Sequence, residues 1–124
     1  MNAQEIFNTV LAHSRTMVEK SSGEVVGKPD VTCLYRGRDG AKCFAGILIP
    51  DEEYHKDMEG LDFREVCKRF ADSTRPTLLS LREHRALISE LQSIHDGSSL
   101  QDWEKEFGIS AEWNHLSRPD PVTA

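Results

Sequence analysis

The sequence predicts a small α+β fold in which one antiparallel β-hairpin packs against four to five helices. Several segments carry apolar side chains about every 3.6 residues, which is the pattern of a helix with one buried face. Residues 31–48 contain two runs of β-forming residues around a glycine-containing turn. The chain has 124 residues, the ordinary size of one domain. We predict this domain to span residues 1–116, followed by a flexible, proline-containing tail over residues 117–124.

The N-terminal segment is predicted to be a helix that ends near Ser21-Ser22-Gly23. Its apolar stripe consists of Ile6, Phe7, Val10, Leu11, Met17 and Val18. A loop punctuated by Gly27 and Pro29 is expected to follow.

The C-terminal half is predicted to contain the remaining helices. We expect Asp62 to cap a helix whose apolar face is Phe63, Val66, Cys67 and Phe70. Pro76 suits the first turn of the next helix, which ends at Asp96-Gly97. Its apolar positions are Leu81, Leu87, Ile88, Leu91 and Ile94. Ser99 and Asp102 are spaced as a capping pair for a helix that carries Trp103 and Phe107 and stops at Gly108. A last short turn presents Trp113.

The hairpin is predicted from its strands, its turn and its ending. Residues 31–36 and 41–48 are rich in β-formers, and Gly37-Arg38-Asp39-Gly40 lies between them. Pro50 ends the second strand because proline has no N–H for the ladder. The acidic run that follows, Asp51-Glu52-Glu53, is typical of the start of a helix.

Cys33 and Cys43 lie on the two predicted strands. An even loop count places Leu34 opposite Cys43, whereas a bulge places the two cysteines opposite each other, within reach of a disulfide or a shared metal. Two cysteines are fewer than the four ligands of a zinc site, so packing is the favoured role. Cys67, on an apolar helix face, is interpreted in the same way.

The candidate binding site is a positive cluster around the hairpin turn. Arg36, Arg38 and Lys42 lie beside Tyr35 in a chain whose net charge is −6. Guanidinium groups near aromatic rings suit a phosphate, a nucleotide or an acidic protein surface. We therefore assign ligand or partner binding to Tyr35, Arg36, Arg38 and Lys42.

An alternative hypothesis is a small metal-dependent hydrolase that uses His95 and Asp96. This dipeptide occurs in HD-type phosphohydrolases, although their further histidine and aspartate are not evident here. A helix C-terminus is the favoured interpretation, because the dipole there favours a histidine. We predict no cofactor, no bound metal and no catalytic residue.

Composition restricts the class of partner and the compartment. The acidic balance argues against nucleic acid, whose binding is dominated by phosphate contacts. No apolar run approaches the roughly 20 residues that span a bilayer. The first residues lack the basic and apolar segments of a secretory signal, and the odd number of cysteines suits a reducing compartment. We therefore expect a cytoplasmic protein.

The hairpin motif resembles a pattern in small, uncharacterised proteins of phages and bacterial genomes. The matching residues are Cys33, Tyr35, Arg36, Gly37, Gly40, Cys43, Gly46, Leu48, Ile49, Pro50, Asp51 and Tyr54. The likeness extends to Gln4-Glu5 with Phe7, and to the segment 91–96, although Ile47 stands where many of those proteins have a cysteine. The resemblance implies a type of protein and brings no activity with it.

These observations together predict a small non-enzymatic binding protein of phage or prophage type. It is expected to bind a host protein or to sequester a phosphorylated small ligand, in an anti-defence or regulatory role. A structural subunit that forms homo-oligomers is a further alternative.

Overall fold

A computed structural model describes residues 1–27 and 31–120 and confirms the α+β class. The helices are α1 (Ala3–Ser14), α2 (Phe63–Phe70), α3 (Pro76–Leu81), α4 (Arg85–Gly97) and α5 (Trp103–Trp113). The sheet has two short antiparallel strands, β1 (Ser22–Gly23) and β2 (Thr32–Cys33). Among the described residues no helix has the length and apolarity required to cross a membrane.

The sheet differs from the predicted hairpin over residues 31–48. β2 pairs with β1, so that Ser22 lies opposite Cys33 and Gly23 opposite Thr32. The predicted second strand forms instead a 3-10 turn at Gly46–Leu48. Cys43, Phe44 and Ala45 are all buried, so this run lacks the solvent-facing alternate positions of a half-buried strand. The same run inserts into the core.

Helix α1 is shorter than predicted. Asn2 and Glu5 form a capping box, in which the Glu5 N–H donates to Asn2 Oδ1 at 2.8 Å and the Asn2 N–H donates to Glu5 Oε1 at 2.9 Å. The buried positions include Ile6, Phe7, Val10 and Leu11, as expected. The helix ends at Ser14, so Met17 and the 91 % exposed Val18 lie outside it.

Helices α2 to α4 contain the predicted start and end signals, but the single helix predicted from Pro76 to Gly97 is divided into α3 and α4 by a 3-10 turn at Arg82–His84. Asp62 caps α2 by accepting a hydrogen bond from the Glu65 N–H at 2.9 Å. Pro76 is the first residue of α3, and α4 ends at Gly97. The acidic segment at Asp51–Glu53 forms a 3-10 turn rather than a longer helix.

Helix α5 continues through Gly108, which was predicted to end it. Phe107, Ser110 and Ala111 are buried on both sides of this glycine, so packing keeps the segment helical. Ser99 donates its hydroxyl to Asp102 Oδ2 at 3.0 Å, and neither side chain caps a backbone N–H.

The core lies between α1, α4, α5 and the inserted run. Phe44 packs edge-on against Trp103, with ring centroids 4.8 Å apart, and also contacts Phe107. The Ala45 N–H donates to Gln92 Oε1 at 2.8 Å inside the core. These contacts fix the inserted run against α4 and α5.

The segment after α5 folds back onto α1. The Ser117 N–H donates to Gln4 Oε1 at 2.9 Å, and Arg15 donates to the Pro119 carbonyl at 2.7 Å. Residues 121–124 of the predicted tail, and Pro29 of the predicted loop, lie outside the described residues. The domain boundary at residue 116 stays a prediction.

Candidate functional site

Tyr35, the aromatic member of the predicted binding cluster, lies in the core. Its side chain is 1 % exposed, and its hydroxyl donates to the Leu61 carbonyl at 2.7 Å. Burial, together with the neighbouring Cys43 and Cys33, raises the pKa of Tyr35. Its side chain therefore contributes nothing to a surface, which corrects its assignment to the binding site.

The Arg36 guanidinium is held inside a cage of protein acceptors. Nη1 donates to the Tyr35 and Gly46 carbonyls, each at 2.9 Å, and Nη2 donates to the Ile49 carbonyl at 2.6 Å. Nε donates to Asp51 Oδ1 at 3.0 Å, and the group lies 4.8 Å from the centre of the Tyr54 ring. These contacts use the donors that a phosphate would need.

Arg38 and Lys42 occupy the remainder of the predicted cluster. Arg38 is exposed at the turn, next to Asp39, whose φ is 57°. Lys42 Nζ lies 3.5 Å from Asp51 Oδ1. Lys42, followed by Arg36, lowers the pKa of Asp51, so this carboxylate stays ionised and offsets the positive charge. Binding by this loop stays a prediction that depends on Arg38 and Lys42.

His95 and Asp96, the residues of the hydrolase alternative, form a buried structural contact. His95 is 1 % exposed, and its Nε2 accepts the Ser21 N–H at 3.2 Å. Because an amide N–H only donates, Nδ1 carries the ring proton and donates it to Asp96 Oδ1 at 2.7 Å. Both ring nitrogens are thus occupied by protein atoms.

The part of the chain that the structure describes also contains no cluster of side chains suited to binding a metal ion. Within residues 1–27 and 31–120, no group of three or more His, Cys, Asp or Glu side chains is arranged to hold a metal ion. The stacking of His95 on Trp103, with ring centroids 5.7 Å apart, fits a packing role instead.

The three cysteines are free thiols in different surroundings. Cys67 is buried on α2, and burial raises its pKa to about 11, in agreement with the predicted packing role. Cys43 is buried, and its N–H donates to the Leu34 carbonyl at 3.2 Å. Cys33 is half-buried at the end of β2.

Two clefts border the region around Cys33. A cleft of about 360 Å³ lies between β2, α2 and α4, and its walls include Cys33, Asp62, Arg64, Gln92 and Asp96. A second cleft, of about 370 Å³, has Cys33 and Asp96 in its walls together with Lys20. Cys33 is therefore the cysteine that external reagents can approach.

The most exposed aromatic side chain of the described residues lies on α5, away from the predicted cluster. Trp113 is 78 % exposed and Ile109 is 41 % exposed. The two residues are four positions apart on one helix, so their side chains are neighbours on the same face. We call this surface the Trp113 face. Because Gly108 was predicted to end the helix, Ile109 and Trp113 were not predicted to share a helix; their i, i+4 spacing was the available signal.

Acidic side chains surround the Trp113 face. Glu106 and Glu112 flank it on α5, with Lys105 as the cation on the preceding turn. A shallow groove of about 370 Å³ between α4 and α5 includes Ile109, Glu106 and Glu90 in its walls. Asn114 donates to Glu90 Oε2 at 3.0 Å and so fixes that carboxylate at the rim.

Comparisons with models of known protein families, with curated proteins and with solved structures found no match for this chain.

Proposed function

We propose that the chain is a small non-enzymatic binding protein that docks onto a partner protein through the Trp113 face. The observation that carries this proposal is the 78 % exposure of Trp113 beside Ile109, on a helix whose opposite side is packed into the core. Tryptophan is enriched among the residues that dominate binding energy at interfaces. Two adjacent large apolar side chains within an acidic rim are typical of an interaction surface.

The charges around this face define the chemistry of the partner. Glu90, Glu106 and Glu112 outnumber Lys105, so a partner with basic residues is favoured by electrostatic complementarity. We propose that the groove between α4 and α5, which has Ile94 and Ile109 in its walls, receives the apolar edge of a helix. The occupant we propose is an amphipathic helix with apolar side chains on one face and Lys or Arg beside them.

A second copy of the chain fits this face less well. A symmetric dimer applies the same patch to itself, which brings Glu106 and Glu112 of both copies together. Like charges that face each other across an interface oppose association. A different protein is therefore the better partner, and homo-oligomerisation becomes an outcome of the test.

A phosphorylated small ligand is also a weaker candidate than a protein. The Arg36 guanidinium is engaged by backbone carbonyls and Asp51, and Lys42 lies beside the same carboxylate. We also propose a host protein as the partner, the cytoplasm as the compartment and an anti-defence or regulatory role, as expected for a protein of phage or prophage type. The hydrolase alternative gains no support from the occupied ring of His95.

Isothermal titration with a defined helical peptide tests the proposal. The probe is an amphipathic peptide of leucine and lysine, and its matched control has glutamate in place of lysine. We expect binding of the lysine peptide and no binding of the glutamate peptide. The double variant Ile109→Ala/Trp113→Ala keeps every charge, and it is expected to bind at least about tenfold more weakly, as for the loss of an interface anchor.

Val18→Ala provides the control variant, since Val18 is also highly exposed but lies outside α5. Its affinity for the lysine peptide should equal that of the original protein. Equal affinity of the double variant would show that charge alone attracts the peptide and would overturn the proposal. If the original protein self-associates and the double variant does not, the partner at this face is a second copy of the chain and not a different protein.

A further inference from the structure

Cys33 and Cys43 are brought together by the backbone around them. Cys33 ends β2, and the next residue, Leu34, accepts the Cys43 N–H through its carbonyl at 3.2 Å. The intervening loop is closed by the Gly37 N–H, which donates to the Ala41 carbonyl at 2.7 Å. Cys43 is fully buried, whereas Cys33 is half-buried and borders two surface clefts.

Both side chains also belong to the same core: Cys43 is buried within the core cluster, and Cys33 is partly buried and packs against that cluster. Burial and the adjoining Cys33 thiol raise the pKa of Cys43. Burial, followed by the neighbouring Cys43 and Cys33, raises the pKa of Tyr35, which belongs to the same core cluster. Cys67 belongs to a different element, α2.

We propose that Cys33 and Cys43 are a redox modification site that closes into a reversible intramolecular disulfide. The half-buried member, Cys33, which borders the two clefts, receives the oxidant, and the buried member, Cys43, resolves the intermediate. This inference is independent of the Trp113 face. It assigns a chemical role to a pair for which the sequence alone favoured packing.

A low-molecular-weight disulfide such as oxidised glutathione serves as the oxidant. The Cys33 thiolate attacks one glutathione sulfur, the glutathione S–S bond breaks, and one glutathione thiolate leaves. The Cys43 thiolate then attacks Cys33 Sγ and displaces the second glutathione. The two cysteines are oxidised, one glutathione disulfide is reduced to two thiols, and these take up the two protons. Because burial disfavours the Cys43 thiolate, the first adduct precedes the crosslink.

Closing this bond has a structural consequence. It ties β2 to the start of the run that inserts Phe44 and Ala45 into the core. It also removes the Cys33 thiol from the walls of the two clefts. Oxidation should therefore raise the unfolding temperature, since a crosslink restricts the unfolded chain.

Tryptic mass spectrometry after treatment with oxidised glutathione tests the proposal. Trypsin cleaves after Arg36, Arg38 and Lys42, which lie between the two cysteines. We expect peptides 21–36 and 43–56 joined by one disulfide, and their separation after reduction. The peptide that contains Cys67 should stay unmodified in the folded protein.

Two variants separate the steps. Cys43→Ser should stop at a glutathione adduct on Cys33, and Cys67→Ser should crosslink as the original protein does. The crosslink is detected in the original protein itself, so this measurement does not depend on whether a variant folds. A stable glutathione adduct without crosslinking, a crosslink that contains Cys67, or no reaction at Cys33 would each overturn the proposal.

Discussion

Arg36 Nη2 donates to the Ile49 carbonyl oxygen at 2.6 Å and so ties the beginning of the 36–42 loop to the segment that follows it. The same guanidinium contacts the Gly46 carbonyl and Asp51. The arginine of the predicted ligand site therefore mainly holds two segments of the chain together. We call these contacts of Arg36 the clamp. The guanidinium donors are thus taken up by three backbone carbonyls and one carboxylate of the protein itself.

Replacing Arg36 should therefore cost stability. Arg36→Lys keeps the charge but loses the planar fork that reaches several acceptors at once. We expect the free energy of unfolding in urea to fall by about 2 kcal/mol, because buried carbonyls lose their donors. The matched variant Arg38→Lys, at an exposed position, should change it by less than about 0.5 kcal/mol. Equal effects of the two variants would contradict the clamp.

Glu53 gives a prediction of pH dependence. Burial pushes its pKa upward, but hydrogen bonds from the Leu78 and Thr77 N–H groups prevail and hold it below the ordinary 4.5. Because the folded pKa is lowered, this stabilisation is complete above the unfolded value and is lost as pH falls through the folded pKa. Glu53→Gln should be clearly less stable at pH 7, and the difference should shrink below about pH 4.5. Urea unfolding at several pH values measures this, and a constant difference would contradict it.

His95 should behave as a structural residue. His95→Phe keeps an aromatic ring but leaves the Ser21 N–H and Asp96 without their partner. We expect a loss of about 1–3 kcal/mol in the free energy of unfolding, the cost of an unsatisfied buried group. Thermal unfolding of the original protein should be the same with and without a metal chelator. A chelator-induced decrease in the unfolding temperature would instead restore the metal hypothesis.

Gly46 should resist substitution because the backbone of Tyr35 lies against it. A Cβ at residue 46 would come within 2.5 Å of the Tyr35 carbonyl oxygen. Gly46→Ala should therefore destabilise the protein by roughly 2 kcal/mol or more. The control Gly97→Ala meets open space and should change the unfolding midpoint little. Comparable midpoints for the two variants would show that residue 46 can move away.

The helices were predictable where local signals agree with packing. Asn2 with Glu5, Asp62 and Pro76 mark helix starts by their own hydrogen bonds or ring geometry, and the apolar spacing identified most buried positions. The hairpin was not predictable in this way, because residues 43–45 are compatible both with a β-strand and with an irregular buried segment. Gly46 lies close to the Tyr35 backbone because of tertiary contacts, and such a close approach produces no periodic pattern in the sequence.

The site was harder to predict than the fold. Sequence shows that Arg36 is cationic, but the carbonyls around it come from residues up to Ile49 and become neighbours only after folding. The Trp113 face was hidden by Gly108, whose low helix propensity is overridden by the burial of Phe107 and Ala111. Both the Arg36 contacts and the Trp113 face are determined by tertiary packing, which local sequence signals do not show.

Site-specific photo-crosslinking in bacterial cells tests the central claim most directly. A photoreactive phenylalanine derivative at position 109 should give a discrete adduct whose attachment site lies in a segment of apolar and basic residues. The same group at position 18 should give no such adduct, and Glu106→Gln with Glu112→Gln should weaken the one at 109. Equal adducts from positions 109 and 18, or attachment to an acidic segment, would contradict the Trp113 face as the binding surface.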